Sequence, residues 1–384
     1  MLSDELFSSV CGPPIAANTA ISKDVGIYAH TLTPAWAVKS SFKKSSAPVH
    51  CLALSDSHVY AAQDQKAHVH VYSRARGNQE ALVPFQERIR CLALAGDVLV
   101  LGTAEGRLIL WELPQRDGML ADTQLLDLHG TANHNTSVSC AGHDSNINVW
   151  SLPRLLEPGQ DIGHEPDRTL SNHRAAITDL VLGPGSNPET NTGQVLRTLL
   201  FPTSPLCISL DHCARALFVS SEDGSLYLVE LFGDKPLLGS HSAELASIVM
   251  QINSPLGVAD EEAGPASCMA LNYDGTSIVT GHAKGKILKW NLVDNSHPTE
   301  LANLNASITN LAFAPILSEK KHNQSVTVVK PNQSQRQYTL TTQLEGDLNQ
   351  GTRFSQMLDT NGFSDETIAQ ALASFAASTS ASSS

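Results

Sequence analysis

A phrase returns along this chain at a fixed stride. It runs LVLGTAEGRLILW over 99–111, SVSCAGHDSNINVW over 137–150, LFVSSEDGSLYLV over 217–229 and SIVTGHAKGKILKW over 277–290, with a weaker copy, VYAAQDQKAHVHVY, over 59–72. Each copy holds small residues, a tight polar turn, an alternating apolar run and a bulky closing residue. The turn residues Lys66, Glu105, Asp144, Asp223 and Lys284 stand six positions before the closing Tyr72, Trp111, Trp150, Val229 and Trp290. Tyr72 to Trp111 and Trp111 to Trp150 are each 39 residues, and Trp150 to Val229 is 79, two such steps. Alternation on both sides of a polar turn is the pattern of paired antiparallel strands.

One such unit cannot bury both faces alone, so a repeat of this length makes sense as a closed ring of blades. Closure also removes open sheet edges. The expected fold is all-β, a seven-bladed WD-type β-propeller with blade ends near residues 72, 111, 150, 190, 229, 290 and 329. The fourth blade is expected to be incomplete. Ile177–Leu182 begins it well, but Gly183–Gly193 is a polar loop, and no later strands or closing tryptophan follow near residue 190. Either the ring tolerates a degenerate blade or the chain lacks those strands. Blade three is also short, with Gly130–Thr136 leading straight into Ser137.

The domain reading follows: an N-terminal extension over 1–23, the propeller over 24–331, a polar linker over 332–361, an amphipathic helix over 362–376 and a disordered tail over 377–384. Val25–Leu32 and Ala35–Val38 read as short strands, one of them completing the last blade and so joining the chain's two ends. In the helix Ser364 is a cap and Phe363 a staple to Ile368. Ile368, Leu372 and Phe375 form one apolar stripe, an association surface expected to pair two copies or to dock on the ring.

The 38 acidic and 25 basic side chains leave a net charge of −13, a poor balance for gripping a phosphate backbone unaided. No apolar run reaches membrane-spanning length, and Asp4 and Glu5 stand where a secretory leader would be basic. No membrane partner is expected. The seven cysteines include Cys51, Cys91, Cys207 and Cys268 at matching blade positions; none pairs at zinc-ligand spacing, and they read as small buried hydrophobes. No catalytic, cofactor-binding or metal-binding residues are expected. The fifteen histidines include His68 and His70 in one strand, with no acidic partner at useful spacing. Asp144 and Asp223 read as turn acceptors and His173 as a histidine that bonds a blade turn. Asp179 and Asp211 read as turn or strand-end residues. No phosphate-binding glycine loop or nucleophile elbow is present.

Some phrases are more specific than a generic propeller. Gln63-Asp-Gln-Lys-Ala-His-Val-His-Val-Tyr72, Gly102–Leu113, Thr192-Gly-Gln-Val-Leu-Arg-Thr-Leu-Leu-Phe-Pro202 and Ser221–Tyr227 together resemble the WD-repeat subunit of the rixosome. The resemblance runs over about residues 5–330. It implies a nuclear scaffold, in nucleolus or nucleoplasm, with no catalysis of its own. Such a subunit works with a large helical-repeat scaffold subunit and a smaller subunit on the large ribosomal subunit precursor (pre-60S). That complex promotes removal of the second internal transcribed spacer (ITS2) and recruits an AAA-type ATPase. The resemblance also implies a homodimer and a chromatin association. Members carry the strands missing here, between the counterparts of Asn191 and Thr192, and a longer C-terminal extension. The propeller by itself fits a ubiquitin-ligase substrate receptor, a coat protein or a chromatin or replication factor as well.

Overall fold

The computed structural model describes residues 4–15, 24–33, 35–96, 98–113, 119–121, 129–132, 137–141, 144–156, 165–171, 173–183, 195, 197–232, 249–294 and 297–314. The stretches 332–361, 362–376 and 377–384, with Ile368, Leu372 and Phe375, lie outside the described residues.

The chain opens with three antiparallel strands, β1 (Glu5–Cys11), β2 (Val25–Thr31) and β3 (Ala37–Lys43). The first sheet wholly in sequence order is β4 (Leu52–Leu54), β5 (His58–Ala62), β6 (His68–Ser73) and β7 (Gln79–Pro84). The second is β8 (Ile89–Ala95), β9 (Val98–Thr103), β10 (Leu108–Glu112) and β11 (Met119–Ala121). The third is β12 (His129–Ala132), β13 (Ser137–Ala141), β14 (Ile147–Ser151) and β15 (Arg168–Leu170), with one helical turn, α1 (Leu152–Leu155), after β14. A short β16 (Thr198–Leu200) follows. The next sheet holds β17 (Pro205–Leu210), β18 (Ala216–Ser221) and β19 (Ser225–Glu230). After β20 (Val249–Gln251), β21 (Gly257–Val258) completes it. Then come β22 (Ala266–Leu271), β23 (Ser277–His282), β24 (Lys286–Asn291) and β25 (Thr299–Asn303). Last is β26 (Ser307–Phe313), which joins the N-terminal strands in the order β26-β1-β2-β3.

Among the described residues the fold is an all-β propeller with six four-stranded blades rather than the seven expected. The expected fourth blade is not seen as a sheet. The remaining ladder, β16 with β20, is a parallel two-stranded pair. A blade needs three strand reversals, and the chain between Leu170 and Pro205 supplies none among its described residues. Ile177–Leu182 is extended chain without a ladder. Ile177 and Leu180 pack on Ala141, Ile147 and Val149 of the third sheet. On the other side Thr178 Oγ1 donates to the Pro205 carbonyl at 3.4 Å, and the Ile208 amide donates to Asp179 Oδ2 at 2.8 Å. One extended run thus bridges the third sheet to the one that begins at Pro205.

The ring is closed by β1, in the stretch that the sequence reading set outside the propeller. Leu6 pairs with Phe313 and Cys11 with Ser307, so the first strand lies between β26 and β2. Leu6, Phe7, Ser8 and Ser9 are fully buried. Their hydroxyls are satisfied inside: Ser8 Oγ meets His30 Nε2 at 2.9 Å, and Ser9 Oγ meets Thr309 Oγ1 at 3.0 Å. Arg74 ties this sheet to the next one. Its guanidinium donates to Glu5 Oε2 at 2.9 Å and to the Ser55 carbonyl at 2.7 Å, and it lies over the Phe7 ring.

A second seam runs between inner strands. At matching positions, Cys51 Sγ points at the Arg90 carbonyl (3.1 Å), Cys207 Sγ at Ala266 (3.8 Å) and Cys268 Sγ at Ile308 (4.0 Å). Asn310 takes this position in the closing sheet, donating to the Pro48 carbonyl at 2.7 Å and accepting the Cys51 amide at 3.1 Å. Asp179 takes it in Ile177–Leu182. Each of these groups reaches forward to the next unit, so the inner strands register one another.

Two outcomes follow. Arg74→Ala leaves Glu5 short of its main partner and removes the stack on Phe7. The expected loss of stability is about 2–4 kcal/mol; denaturant unfolding measures it, and an unchanged midpoint would show that the ring closes without this tie. Burial pushes His30, His50 and His70 down to about 4 from the usual 6.5. Unfolding releases them to bind protons below 6.5, so between 6.5 and about 4 the unfolded state holds more protons and stability falls as pH falls. Asp211, Asp223 and Asp274 are held low as well, so their contribution is lost on further acidification. Thermal unfolding should show Tm dropping steadily from neutral pH to about pH 4.5; a flat profile contradicts the burial of neutral imidazoles.

Candidate functional site

The five closing residues sit on the third strand of their sheets, facing inward. Tyr72, Trp150, Val229 and Trp290 are buried, and Trp111 is partly buried with its ring edge-on to Phe85. Two of them anchor polar relays. Trp290 Nε1 donates to Thr280 Oγ1 at 2.9 Å, Thr280 Oγ1 meets His282 Nε2 at 2.9 Å, and His282 Nδ1 donates to the Gly264 carbonyl at 2.8 Å. Tyr72 donates to the Lys43 carbonyl at 3.1 Å and receives His70 Nδ1 at 3.0 Å. Buried polar groups are costly unless paired, so these relays lock each strand to its neighbour. The sequence gives the Trp and Tyr positions but not their partners. Thr280 and His282 are separated from Trp290 by a turn, and only the folded ladder brings them together.

The turn residues are placed as follows. Asp223 Oδ1 accepts the Ser225 amide at 3.0 Å and the Ser221 hydroxyl at 2.6 Å, while Oδ2 accepts the Ser225 hydroxyl at 3.0 Å. Burial alone would raise its carboxyl, but these bonds outweigh that and hold it below the ordinary carboxylate range. Asp144 Oδ1 accepts the Asn146 amide at 3.2 Å on an exposed turn. Asp274 repeats the device at another reversal, accepting from Thr276. His173 is exposed and outside any strand, and its expected bond to a blade turn is not among the described hydrogen bonds.

One cluster joins residues far apart in the chain. His50 Nε2 lies 3.8 Å from Asp179 Oδ1, although His50 precedes β4 and Asp179 belongs to the Ile177–Leu182 run. Burial holds the imidazole down at about 4, against a backbone bond to Thr178 that favours its charge. The pair is therefore a neutral imidazole beside a carboxylate that already accepts the Ile208 amide. Burial also pushes the Cys207 thiol up to about 12 and the Cys51, Cys140 and Cys268 thiols well above their usual range. Thiols in that state are poor nucleophiles and poor metal ligands. Among the described residues no three His, Cys, Asp or Glu side chains converge as a metal site.

Asp223→Ala removes three acceptor contacts from one reversal. The expected cost is about 1–2 kcal/mol, read by thermal or denaturant unfolding. A variant of full stability would make the Ser221–Ser225 turn self-sufficient.

No protein-family model matches the chain. Among solved structures it is similar to the computationally designed Ika8 protein (TM-score 0.52, 17% identity, 80% of this chain and 91% of that one) and to U3-55K (TM-score 0.50, 15% identity, 67% and 81%); this likeness concerns the fold. Among curated proteins it is 27% identical to pre-rRNA-processing protein IPI3 of Yarrowia lipolytica, over 61% of this chain and 59% of that one. It is 20% identical to pre-rRNA-processing protein crb3/ipi3 of Schizosaccharomyces pombe, over 66% and 67%. Human WD repeat-containing protein 18 is 23% identical, over 68% and 64%. The match thus spans about three fifths to two thirds of these relatives' own lengths. The resemblance carried by the sequence phrases is borne out: the chain is a β-propeller, and the curated proteins it is similar to are named pre-rRNA-processing protein IPI3 and WD repeat-containing protein 18.

Proposed function

We propose that this chain serves pre-rRNA processing in the nucleus as a binding subunit without chemistry of its own. The observation that carries the proposal is the similarity, over 61–72% of the chain, to proteins named for pre-rRNA processing. The physical reading agrees with it. The described histidines with resolved shifts are held neutral by burial, the buried thiols are held protonated, and the acidic chain is suited to protein contacts inside a larger assembly rather than to gripping RNA alone. In this role the propeller joins a helical-repeat scaffold subunit and a smaller subunit on the precursor of the large ribosomal subunit, where an AAA-type ATPase is recruited and the second internal transcribed spacer is removed. The six blades supply rigid, separately addressable edges and turns for several partners at once. Pairing of two copies through Ile368, Leu372 and Phe375, and an association with chromatin, belong to the same proposal.

Depletion of the chain in its source cell should make spacer-containing precursor RNA accumulate, read by hybridisation to the second internal transcribed spacer. Re-expression of the chain should reverse it. Normal RNA processing, together with co-purification of cullin or coat subunits, would move the protein to another class of adaptor.

A further inference from the structure

We propose that the loops at 44–50, 63–67 and 85–90 form a face that binds the phosphate backbone of single-stranded RNA through Lys44, Lys66 and Arg88. The net charge of −13 speaks against such a contact for the ring as a whole, but the charge is unevenly placed. Residues 35–107 hold nine basic and six acidic side chains, so this stretch is net positive and the negative excess lies elsewhere in the chain. The local field, not the total charge, decides what a surface attracts. Every residue of 35–96 is described, so the three loops and the strands that carry them are one continuous unit.

Hydrogen bonds lace the three loops together. Gln63, buried at the start of the turn between β5 and β6, is the fastener: its Oε1 accepts the Ser46 amide at 2.8 Å and its Nε2 donates to Ser45 Oγ at 3.1 Å. The Asp64 amide donates to the Ser46 carbonyl at 2.7 Å. On the other side the Phe85 amide donates to the Ala67 carbonyl at 2.7 Å, and Arg88 Nη1 donates to Gln65 Oε1 at 2.8 Å. The link after β3, the β5–β6 turn and the link before β8 therefore lie side by side, drawn from three successive sheets. Each brings an exposed cation, Lys44, Lys66 and Arg88. Among the described residues none of these three is in an ion pair, whereas the carboxylates nearby are occupied. Arg107 holds Glu87 and Glu105, and Asp64 accepts the Gln65 side-chain amide.

Two observations favour RNA over an acidic protein. None of the large apolar side chains that the described residues leave exposed lies in these loops, so a protein partner finds no anchor to bury. The groove between the loops, lined by Pro48, Asp64, Gln65, Arg88, Ile89 and Arg90, encloses about 10 Å³, room for a water molecule and not for a side chain. What remains is a row of separated positive charges, which suits a polymer carrying one negative charge per unit. Such contacts go to phosphates and select no base. RNA contact at this face stands or falls separately from the part the protein plays in processing, since it rests on charge and geometry alone.

The test is a fluorescence-anisotropy titration of the full chain into a labelled, mixed-sequence single-stranded RNA of about 12 nucleotides. Saturable binding at low salt is expected, with log affinity falling against log salt at a slope of about −2, the value for three phosphate contacts on a single strand. Exchanging all three cations, Lys44→Gln, Lys66→Gln and Arg88→Gln, should weaken binding about tenfold or more and flatten that slope. The same change of net charge made elsewhere, Arg154→Gln, Arg174→Gln and Arg215→Gln, should leave affinity within about twofold of the original. A poly-Glu peptide should displace the RNA far less well than unlabelled RNA does. No saturable RNA binding, an unchanged affinity in the first triple variant, or an equal loss in both triples would overturn the proposal. Displacement by poly-Glu as efficient as by RNA would overturn it too, and would point to an acidic protein instead. The salt slope is read on the unaltered chain, so the outcome does not hinge on a variant folding.

Discussion

The pairing of Leu6–Cys11 with Ser307–Phe313 is the contact on which the other sheets depend. Each blade twists and packs its face on the next, so a ring missing one seam leaves two apolar faces open. Here the seam joins the beginning of the described chain to its end, at the largest sequence separation the ring contains. Closing so long a loop costs little more entropy than closing one of half the length, since the cost grows only logarithmically. It does, however, delay the reward, because β1 has no partner on that side until β26 exists. The N-terminal strands therefore need local ties. The Arg74 guanidinium reaching Glu5 and the Ser55 carbonyl supplies one, and Phe42 packed against both Phe7 and Tyr72 supplies another. Both can form while the later blades are still unmade.

What the sequence made legible is the part governed by short-range pattern. The closing residues Tyr72, Trp111, Trp150, Val229 and Trp290 fall on the third strand of their sheets because alternation and turn chemistry act within a dozen residues. The fourth blade end expected by the pattern, near residue 190, could not be read the same way. Ile177-Thr-Asp-Leu copies Ile308-Thr-Asn-Leu, and the copy is structurally real: Asp179 reaches the next inner strand as Asn310 does. A period in the sequence counts such positions, while a blade requires the reversals that follow them. The count of seven came from the first and the six sheets from the second.

The start of the ring was missed for a different reason. Glu5-Leu-Phe-Ser-Ser-Val-Cys11 does not alternate cleanly, and its two serines look like surface residues. They are buried because the strand lies in the middle of a sheet, where hydroxyls are satisfied across the seam by His30 and Thr309. The cysteines show the same limit from the other side. Their matching positions were visible, and a small buried hydrophobe was a sound reading of each. That Cys51, Cys207 and Cys268 each face a carbonyl of the following inner strand requires knowing which strand comes next. The candidate site is less legible than the fold, since relays such as Trp290–Thr280–His282 are set by packing between segments.

The polar interior has a packing cause. Where inner strands approach one another, small polar side chains sit among the apolar ones, Cys207 and Asn310 beside Ile208 and Ile308. Ser, Thr, Cys and Asn fill that space here, and each then has to find a partner in the dry interior. Their partners are side chains and backbone groups of neighbouring strands, as Ser8 with His30 and Asn310 with the Pro48 carbonyl show. Burial, more than any neighbouring charge, is what moves His30, His50 and the inner thiols away from reactivity at neutral pH.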